Sequence, residues 1–177
     1  MVKILVIGSG AREHAIIKSL NKSKKEKEIY CLASNNNPGI SDICKEMKII
    51  NINDAQLIKD YSIKQSINIA IIGPENPLAH GVADSLWEAE IGVVGPKKNL
   101  AQIETSKSFT RNLLKEYNIP GCPKFKTFTS MKGVEGFLSL LDENYVVKYD
   151  GLAGGKGVKV AGDHLHSHEE ALSYCKE

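Results

Sequence analysis

Apolar and polar positions along this chain follow two alternating periods. Residues 2–8, Val-Lys-Ile-Leu-Val-Ile-Gly, are too uniformly apolar and β-branched for a strand with one wet face. They predict a parallel strand covered on both sides. Residues 12–20 then carry a helical pattern, and the alternation continues with strands expected near 28–33, 48–52, 68–73 and 91–95 and helices over 54–65 and 78–90. Strand and helix taking turns specify an α/β fold built on a doubly wound parallel sheet. Two of the strands end in the same dipeptide, Gly73-Pro74 and Gly95-Pro96, where proline stops the ladder and glycine lets the chain turn. Such turns lie at the carboxyl ends of parallel strands, where open α/β sheets bind ligands.

After Pro96 the pattern changes. Residues 99–117 read as a long helical stretch that Thr105-Ser106 can break in two, closed by Asn118-Ile-Pro120. A strand over 124–129, a helix over 131–141, a strand-loop-strand over 146–160 and a helix from Ser167 follow. These shifts divide the chain into a first domain, 1–97, a helical linker, 98–120, and a second domain, 121–177. The three strands and two helices expected after Gly121 make a small sheet, and sheets of that size are marginal without more surface to bury. The expectation is that the chain is the N-terminal piece of a longer protein.

Composition places the chain among ordinary globular proteins, with 42% hydrophobic and 25% charged residues. A net charge of +2 offers no reason to expect nucleic acid, and the basic run 22–28 is short, mixed in sign and reads as a solvated helix end. Apolar runs fall far short of the roughly 20 residues needed to span a bilayer, and the first residues read as a strand start, not a signal peptide. A cytoplasmic location without membrane partners is expected. Cys31, Cys44, Cys122 and Cys175 lack Cys-x-x-Cys spacing, which argues against a zinc site and against a disulfide framework.

Two glycine loops hold the candidate chemistry. In the stretch 145–158, Gly151, Gly154, Gly155 and Gly157 leave the backbone free to approach a ligand with its N–H groups exposed, while Lys148 and Lys156 add positive charge. The result reads as a phosphate cradle. It is not a Walker loop, because Asp150 stands where that motif needs its first glycine and Gly157 where it needs Ser or Thr. The other loop, Gly8-Ser-Gly-Ala-Arg-Glu-His14, follows the first strand and opens the first helix, an arrangement that favours an anion. The dinucleotide fingerprint fails there, since Glu13 replaces the third glycine and no acidic residue ends the second strand. A sugar phosphate remains, with Arg12 able to add charge. A helix terminus contributes up to ~2 kcal/mol, whereas micromolar affinity needs about 8 kcal/mol, so other groups must share the ligand. Residues 35–39 and 73–78 face the same crevice. Glu75 either accepts hydrogen bonds from an amine or ribose or complements a helix dipole, and Asn35 to Asn37 serve either a ligand or the turn itself. His164, His166 and His168 read as a polar turn in which Ser167 caps the last helix, so no metal site is expected in this chain.

Taken in order, Gly8-Ser-Gly-Ala-Arg-Glu-His-Ala15, Asn37-Pro-Gly39, Gly73-Pro-Glu-Asn-Pro-Leu78, Gly95-Pro96, Thr105-Ser-Lys-Ser-Phe109 and Val147-Lys-Tyr-Asp-Gly-Leu-Ala-Gly-Gly-Lys-Gly157 closely resemble the phosphoribosylamine–glycine ligases, or glycinamide ribonucleotide synthetases. The resemblance implies a Rossmann-like N-terminal domain followed by the beginning of an ATP-grasp domain. It also implies ATP-dependent ligation of glycine to 5-phosphoribosylamine through a glycyl phosphate, in de novo purine (IMP) biosynthesis. Lys107, Lys148, Asp150, Gly151, Gly154, Gly155, Lys156 and Gly157 would bind ATP. Gly8, Ser9, Gly10, Ala11, Arg12, Glu13, Asn37, Pro38, Gly39, Glu75, Asn76 and Pro77 would hold phosphoribosylamine.

The family's acidic Mg2+ ligands and most of its glycine site, together with its catalytic residues, are expected beyond Glu177, so the chain alone should be inactive and its parent a monomeric ligase. The rival readings are another ATP-grasp carboxylate–amine ligase and a non-catalytic nucleotide or sugar-phosphate binding module.

Overall fold

The computed structural model describes residues 1–176. It forms two compact units, Met1–Thr105 and Ser106–Glu177, each with its own core.

The first unit is a five-stranded parallel sheet in the order β3-β2-β1-β4-β5, made of β1 (Val2–Ile7), β2 (Lys27–Ala33), β3 (Glu46–Ile49), β4 (Ile69–Ile72) and β5 (Gly92–Val94). The alternation of side chains along β1 supplies both faces: Leu5 and Ile7 join one core with Leu32, Ile58, Val82 and Leu86, and Val6 joins the other with Ile17, Cys31 and Ile40. The residues of β1 from Ile4 to Ile7 are all buried, as its unbroken apolar run requires. Helices α1 (Ala11–Asn21) and α2 (Pro38–Ser41) contribute to the Val6 side, and α3 (Ala55–Gln65), α4 (Glu75–Ala79) and α5 (Val82–Glu88) to the Leu5 side. From β1 the chain steps outward through β2 and β3, then returns to the opposite side for β4 and β5. The strand order therefore reverses at β1, where a doubly wound sheet leaves a crevice above its carboxyl ends.

Two expectations shift here. The helix expected over 78–90 is two helices that begin earlier, because Gly81 adopts φ +80° between α4 and α5 and α4 starts directly after Pro74. The third strand ends at Ile49, so residues 50–54 are free to form a loop over the sheet's end.

The expected break at 105–106 separates α6 (Lys98–Thr105), which packs on α4 in the first unit, from α7 (Lys107–Glu116) in the second. The second unit adds α8 (Val134–Leu141), the antiparallel pair β6 (Val146–Lys148) and β7 (Val158–Val160), and α9 (His168–Tyr174), whose N-cap is Ser167 as expected. Val134, Leu138, Tyr145, Leu165 and Ala171 form its core. The strand expected over 124–129 is not formed: that segment pairs with no strand among the described residues. Phe128 instead packs at 5.9 Å on Phe137 of α8, while Lys126 lies over both rings. Among the described residues no cluster of three metal-ligating side chains occurs, the histidines of 164–168 included.

Candidate ligand sites in the two units

A cavity of about 320 Å³ opens above the carboxyl ends of the first sheet. Gly8, Ser9 and Gly10 reach it from the end of β1, Ser34 from β2, Ile52 and Asn53 from beyond β3, and Pro74 and Asn76 from β4 and the start of α4. The N-terminus of α1 opens beside it with first-turn N–H groups that have no intrahelical acceptor.

Glu13 organises this crevice. Its side chain is buried, one carboxylate oxygen accepts the Gly10 N–H at 2.7 Å, and the other accepts Arg12 Nε at 3.1 Å. The surrounding glycines are glycines because of it. A Cβ at Gly73 would stand 2.1 Å from Glu13 Oε1, and one at Gly8, which also adopts φ +123°, would stand 2.7 Å from Glu13 Cγ. His14 constrains the next motif in the same way, since a Cβ at Gly39 would lie 2.5 Å from its ring. Asn37 ties the motifs together: its Nδ2 donates to the Ser9 carbonyl at 2.9 Å, and its Oδ1 caps α2 through the Ile40 N–H.

The residues expected to hold phosphoribosylamine therefore fall into two sets. Gly8, Ser9, Gly10, Glu13 and Asn76 line the cavity. Ala11 is exposed in the first turn of α1, Pro38 opens α2, Gly39 packs on His14, Pro77 is buried in α4, and Glu75 faces Arg12 at 3.8 Å. Both ends of the Asn37 amide are engaged by its own loops. Pro74, from the 73–78 stretch expected at this crevice, also lines the cavity, whereas Ser34, Ile52 and Asn53 line it without having been singled out from the sequence. The signal for Ile52 and Asn53 was their position after a parallel strand. Asn53 Oδ1 is buried and has no hydrogen-bond partner among the described residues.

The second candidate site lies within the other unit. Strands β6 and β7 pair from Val146 with Val160 to Lys148 with Val158, and the Tyr149 N–H donates to the Gly157 carbonyl at 2.8 Å, closing the ladder at the root of the glycine loop. Within the loop Gly151, Gly154 and Gly155 all have positive φ, of +124°, +54° and +80°. Gly157 is needed for space instead: a Cβ there would stand 2.7 Å from that of Ala153. Lys148 and Lys156 are exposed, and neither forms an ion pair among the described residues. Their charge is free for an anion.

Asp150 sits differently. Its carboxylate accepts the N–H groups of Lys107 at 2.7 Å and Ser108 at 3.2 Å, and also the hydroxyls of Ser106 and Ser108. Burial alone would push its carboxyl up, but these bonds from Ser108, Lys107 and Ser106 outweigh it and hold the group below the ordinary Asp value. Lys107 Nζ donates to the Gly151 carbonyl at 2.7 Å. The segment around 106–108 and the glycine loop, 43 residues apart in sequence, are thus joined.

A family model described as the N domain of phosphoribosylglycinamide synthetase matches residues 2–104, and one described as the ATP-grasp (A) domain of the same enzyme matches residues 105–177. The chain is 45% identical over 176 residues to the phosphoribosylamine–glycine ligase of Methanosarcina barkeri, covering 99% of this chain and 40% of that protein. It spans about 40% of the length of the curated relatives it matches. Its fold is similar to the biotin carboxylase domain of 2-oxoglutarate carboxylase from Hydrogenobacter thermophilus, solved with MgADP, ADP and bicarbonate. That likeness has a TM-score of 0.76 at 15% identity and covers 98% of this chain and 39% of that one. Phosphoribosylglycinamide synthetase from Anaerococcus prevotii is similar with a TM-score of 0.60 at 15% identity, over 97% of this chain and 40% of that one.

Proposed function

Because the chain belongs to the phosphoribosylglycinamide synthetase family, we propose that its whole protein joins glycine to 5-phosphoribosylamine at the expense of ATP, a step of de novo purine synthesis. The observation that supports this most directly is the order of the two matches: N domain over 2–104, then ATP-grasp domain over 105–177. In this reading residues 1–97 bind the sugar phosphate, 98–120 connect, and 121–177 begin the nucleotide-binding domain.

The crevice suits a phosphorylated sugar. Unpaired first-turn N–H groups at α1 and the Gly8 to Gly10 backbone favour the phosphate, and its volume of about 320 Å³ matches a small ligand. Arg12, Ala11, Ser9 and Asn76 are the contacts we assign to phosphoribosylamine at its rim, with Glu75 fixing Arg12. Pro38, Gly39, Pro77, Asn37 and Glu13 hold the loops that shape it.

A carboxylate is a poor acyl donor until one oxygen becomes a phosphate leaving group. Phosphoryl transfer from ATP to glycine needs positive charge around the moving oxygens more than it needs a nucleophilic side chain. Lys107, Lys148 and Lys156 supply that charge, and the backbone of Gly151, Gly154, Gly155 and Gly157 covers the phosphates. The sugar amine then attacks the glycyl phosphate, giving the amide, ADP and phosphate. Bound Mg2+ would neutralise the phosphate oxygens. The described residues are a poor fit for it, offering no cluster of three metal-ligating side chains, and Asp150 is engaged elsewhere. Its ligands are proposed to come from the rest of the protein.

We place the protein in the cytoplasm as a monomer without nucleic-acid partners. No helix among the described residues is long and apolar enough to cross a membrane. The test is phosphate release measured with ATP, glycine and phosphoribosylamine. The whole protein should require all three, and the 177-residue chain should release none. Turnover without glycine, or with another carboxylate in its place, would replace this reading with a different ATP-grasp ligase.

A further inference from the structure

We infer that Asp150 is a positioning residue for Lys107, not a ligand of the nucleotide. The inference rests on the reading of this unit as an ATP site, and it changes what one of the expected ATP contacts does.

Both Asp150 carboxylate oxygens are engaged by α7 and its N-cap. Oδ1 accepts the N–H groups of Lys107 and Ser108, at 2.7 and 3.2 Å, and Oδ2 accepts the Ser108 hydroxyl. The Ser106 hydroxyl lies 3.2 and 3.3 Å from the two oxygens. Ser106 in turn caps the helix by accepting the Phe109 N–H at 3.1 Å. The first-turn N–H groups of Lys107 and Ser108 have no intrahelical acceptor, so Asp150 is what satisfies them. A carboxylate so engaged offers its charge to the positive end of α7, and the repulsion it would exert on a polyphosphate is reduced.

The second half of the arrangement is Lys107 itself. Its ammonium donates to the carbonyl of Gly151, the residue next to Asp150, at 2.7 Å. Backbone and side chain of Lys107 are therefore gripped by consecutive residues at the root of the glycine loop. Lys107 and the loop are held as one piece. An ammonium needed by a phosphate is thereby kept beside the loop that covers phosphates. Deletion of the Asp150 carboxylate frees the α7 terminus and lets the Lys107 side chain wander.

The test needs no nucleotide, so it can fail while the ligase reading stands. In the 177-residue chain, hydrogen exchange of the Lys107 and Ser108 amides is followed by NMR alongside the rate of reductive methylation of each lysine. Asp150→Ala should speed exchange at these two amides by about tenfold to a hundredfold, the loss of one charge-assisted bond each. It should also raise the methylation rate of Lys107 to that of Lys156, while Asp150→Asn, which keeps an acceptor oxygen, restores most of both. Exchange of the α8 amides, in the core of the same unit, serves as the fold control. Should Asp150→Ala unfold the second unit, Ser108→Ala is the substitute and should produce the same changes in smaller degree. Unchanged Lys107 methylation in a folded Asp150→Ala or Ser108→Ala chain, or no rescue by asparagine, overturns the inference. In the whole protein, a loss confined to kcat with ATP KM unchanged would overturn it too.

Discussion

Substitution of Gly73 by alanine should destabilise the first unit through a single buried side chain. The added methyl would stand 2.1 Å from Glu13 Oε1, 2.5 Å from Cγ and 2.6 Å from Cδ. Rotation of the carboxylate alone cannot clear it, because the contact reaches back to Cγ. Glu13 is only 4% exposed and is held by the Gly10 N–H, so it has no free space to enter. Overpacking of this kind costs about 1–3 kcal/mol. If Glu13 instead gives way, the charge-assisted bond to Gly10 is lost at about 1.5–3 kcal/mol. Either route predicts a loss of about 2 kcal/mol. With a urea m-value of about 2 kcal/mol/M, the midpoint falls by about 1 M. Trp87, the single tryptophan, lies in α5 and reports this unit alone. Glu13→Ala should be destabilising by itself, yet Gly73→Ala should cost far less in its presence, with a coupling of about 1–2 kcal/mol between the two. The reasoning is refuted if Gly73→Ala lies within about 0.5 kcal/mol of the parent, or if the two losses add within that margin.

Other outcomes follow from single side chains. Asn37→Ala removes both the cap of α2 and the tie to the Ser9 carbonyl, and should lower the Trp87-monitored stability by about 1–2 kcal/mol. Asp150 has its folded pKa held below the ordinary 3.8, so its stabilising contribution is complete at neutral pH and is lost only as the pH falls from that value through the folded pKa. NMR shifts of the Lys107 and Ser108 amides should accordingly titrate below pH 3.8 and stay flat from pH 5 to 8. Burial pushes the thiols of Cys31 and Cys44 up, to about 12 and about 11. Both should resist iodoacetamide at pH 8 in the folded chain and react on unfolding, as peptide mass mapping would show.

The sheet was legible because its central strands, β1 and β2, are buried on both faces and carry unbroken apolar runs. Its helices were less so. Gly81 stands inside an apolar pattern that reads as one helix, and only its positive φ reveals the break. The segment 124–129 failed for a related reason. Phe125, Thr127, Phe128 and Thr129 are residue types that favour a strand, but a ladder also requires a neighbour, which one segment cannot supply. The aromatic packing of Phe128 on Phe137 explains that apolar position without any ladder. The candidate sites show the same division. Their glycines were visible, whereas the reasons for them, Glu13 beneath Gly8 and Gly73, His14 beneath Gly39, are contacts between distant loops. Asp150 was visible too, but its bonds to the start of α7 join residues 43 positions apart, which no local pattern shows.

Glu13 also explains what the first loop excludes. In a dinucleotide-binding turn the second glycine lets the backbone approach the pyrophosphate, and the third lets the helix lie close against the strand. Here the same position holds a buried glutamate whose stem lies against Gly8 and Gly73 and whose carboxylate accepts the Gly10 N–H. One backbone donor of the loop is thereby withdrawn from any ligand, and a negative charge is fixed under the floor of the crevice. Two phosphates side by side would meet both penalties. A single phosphate bound by the remaining N–H groups and by Arg12, which itself neutralises Glu13 at 3.1 Å, meets neither in full. In the proposed reading, the residue that breaks the dinucleotide pattern is therefore the one that shapes the loop for a monophosphate. Ribose 5-phosphate should bind the chain more tightly than NAD or ADP-ribose, and Glu13→Gly should narrow that preference. Calorimetry that found NAD the tighter ligand of the unaltered chain would end this argument.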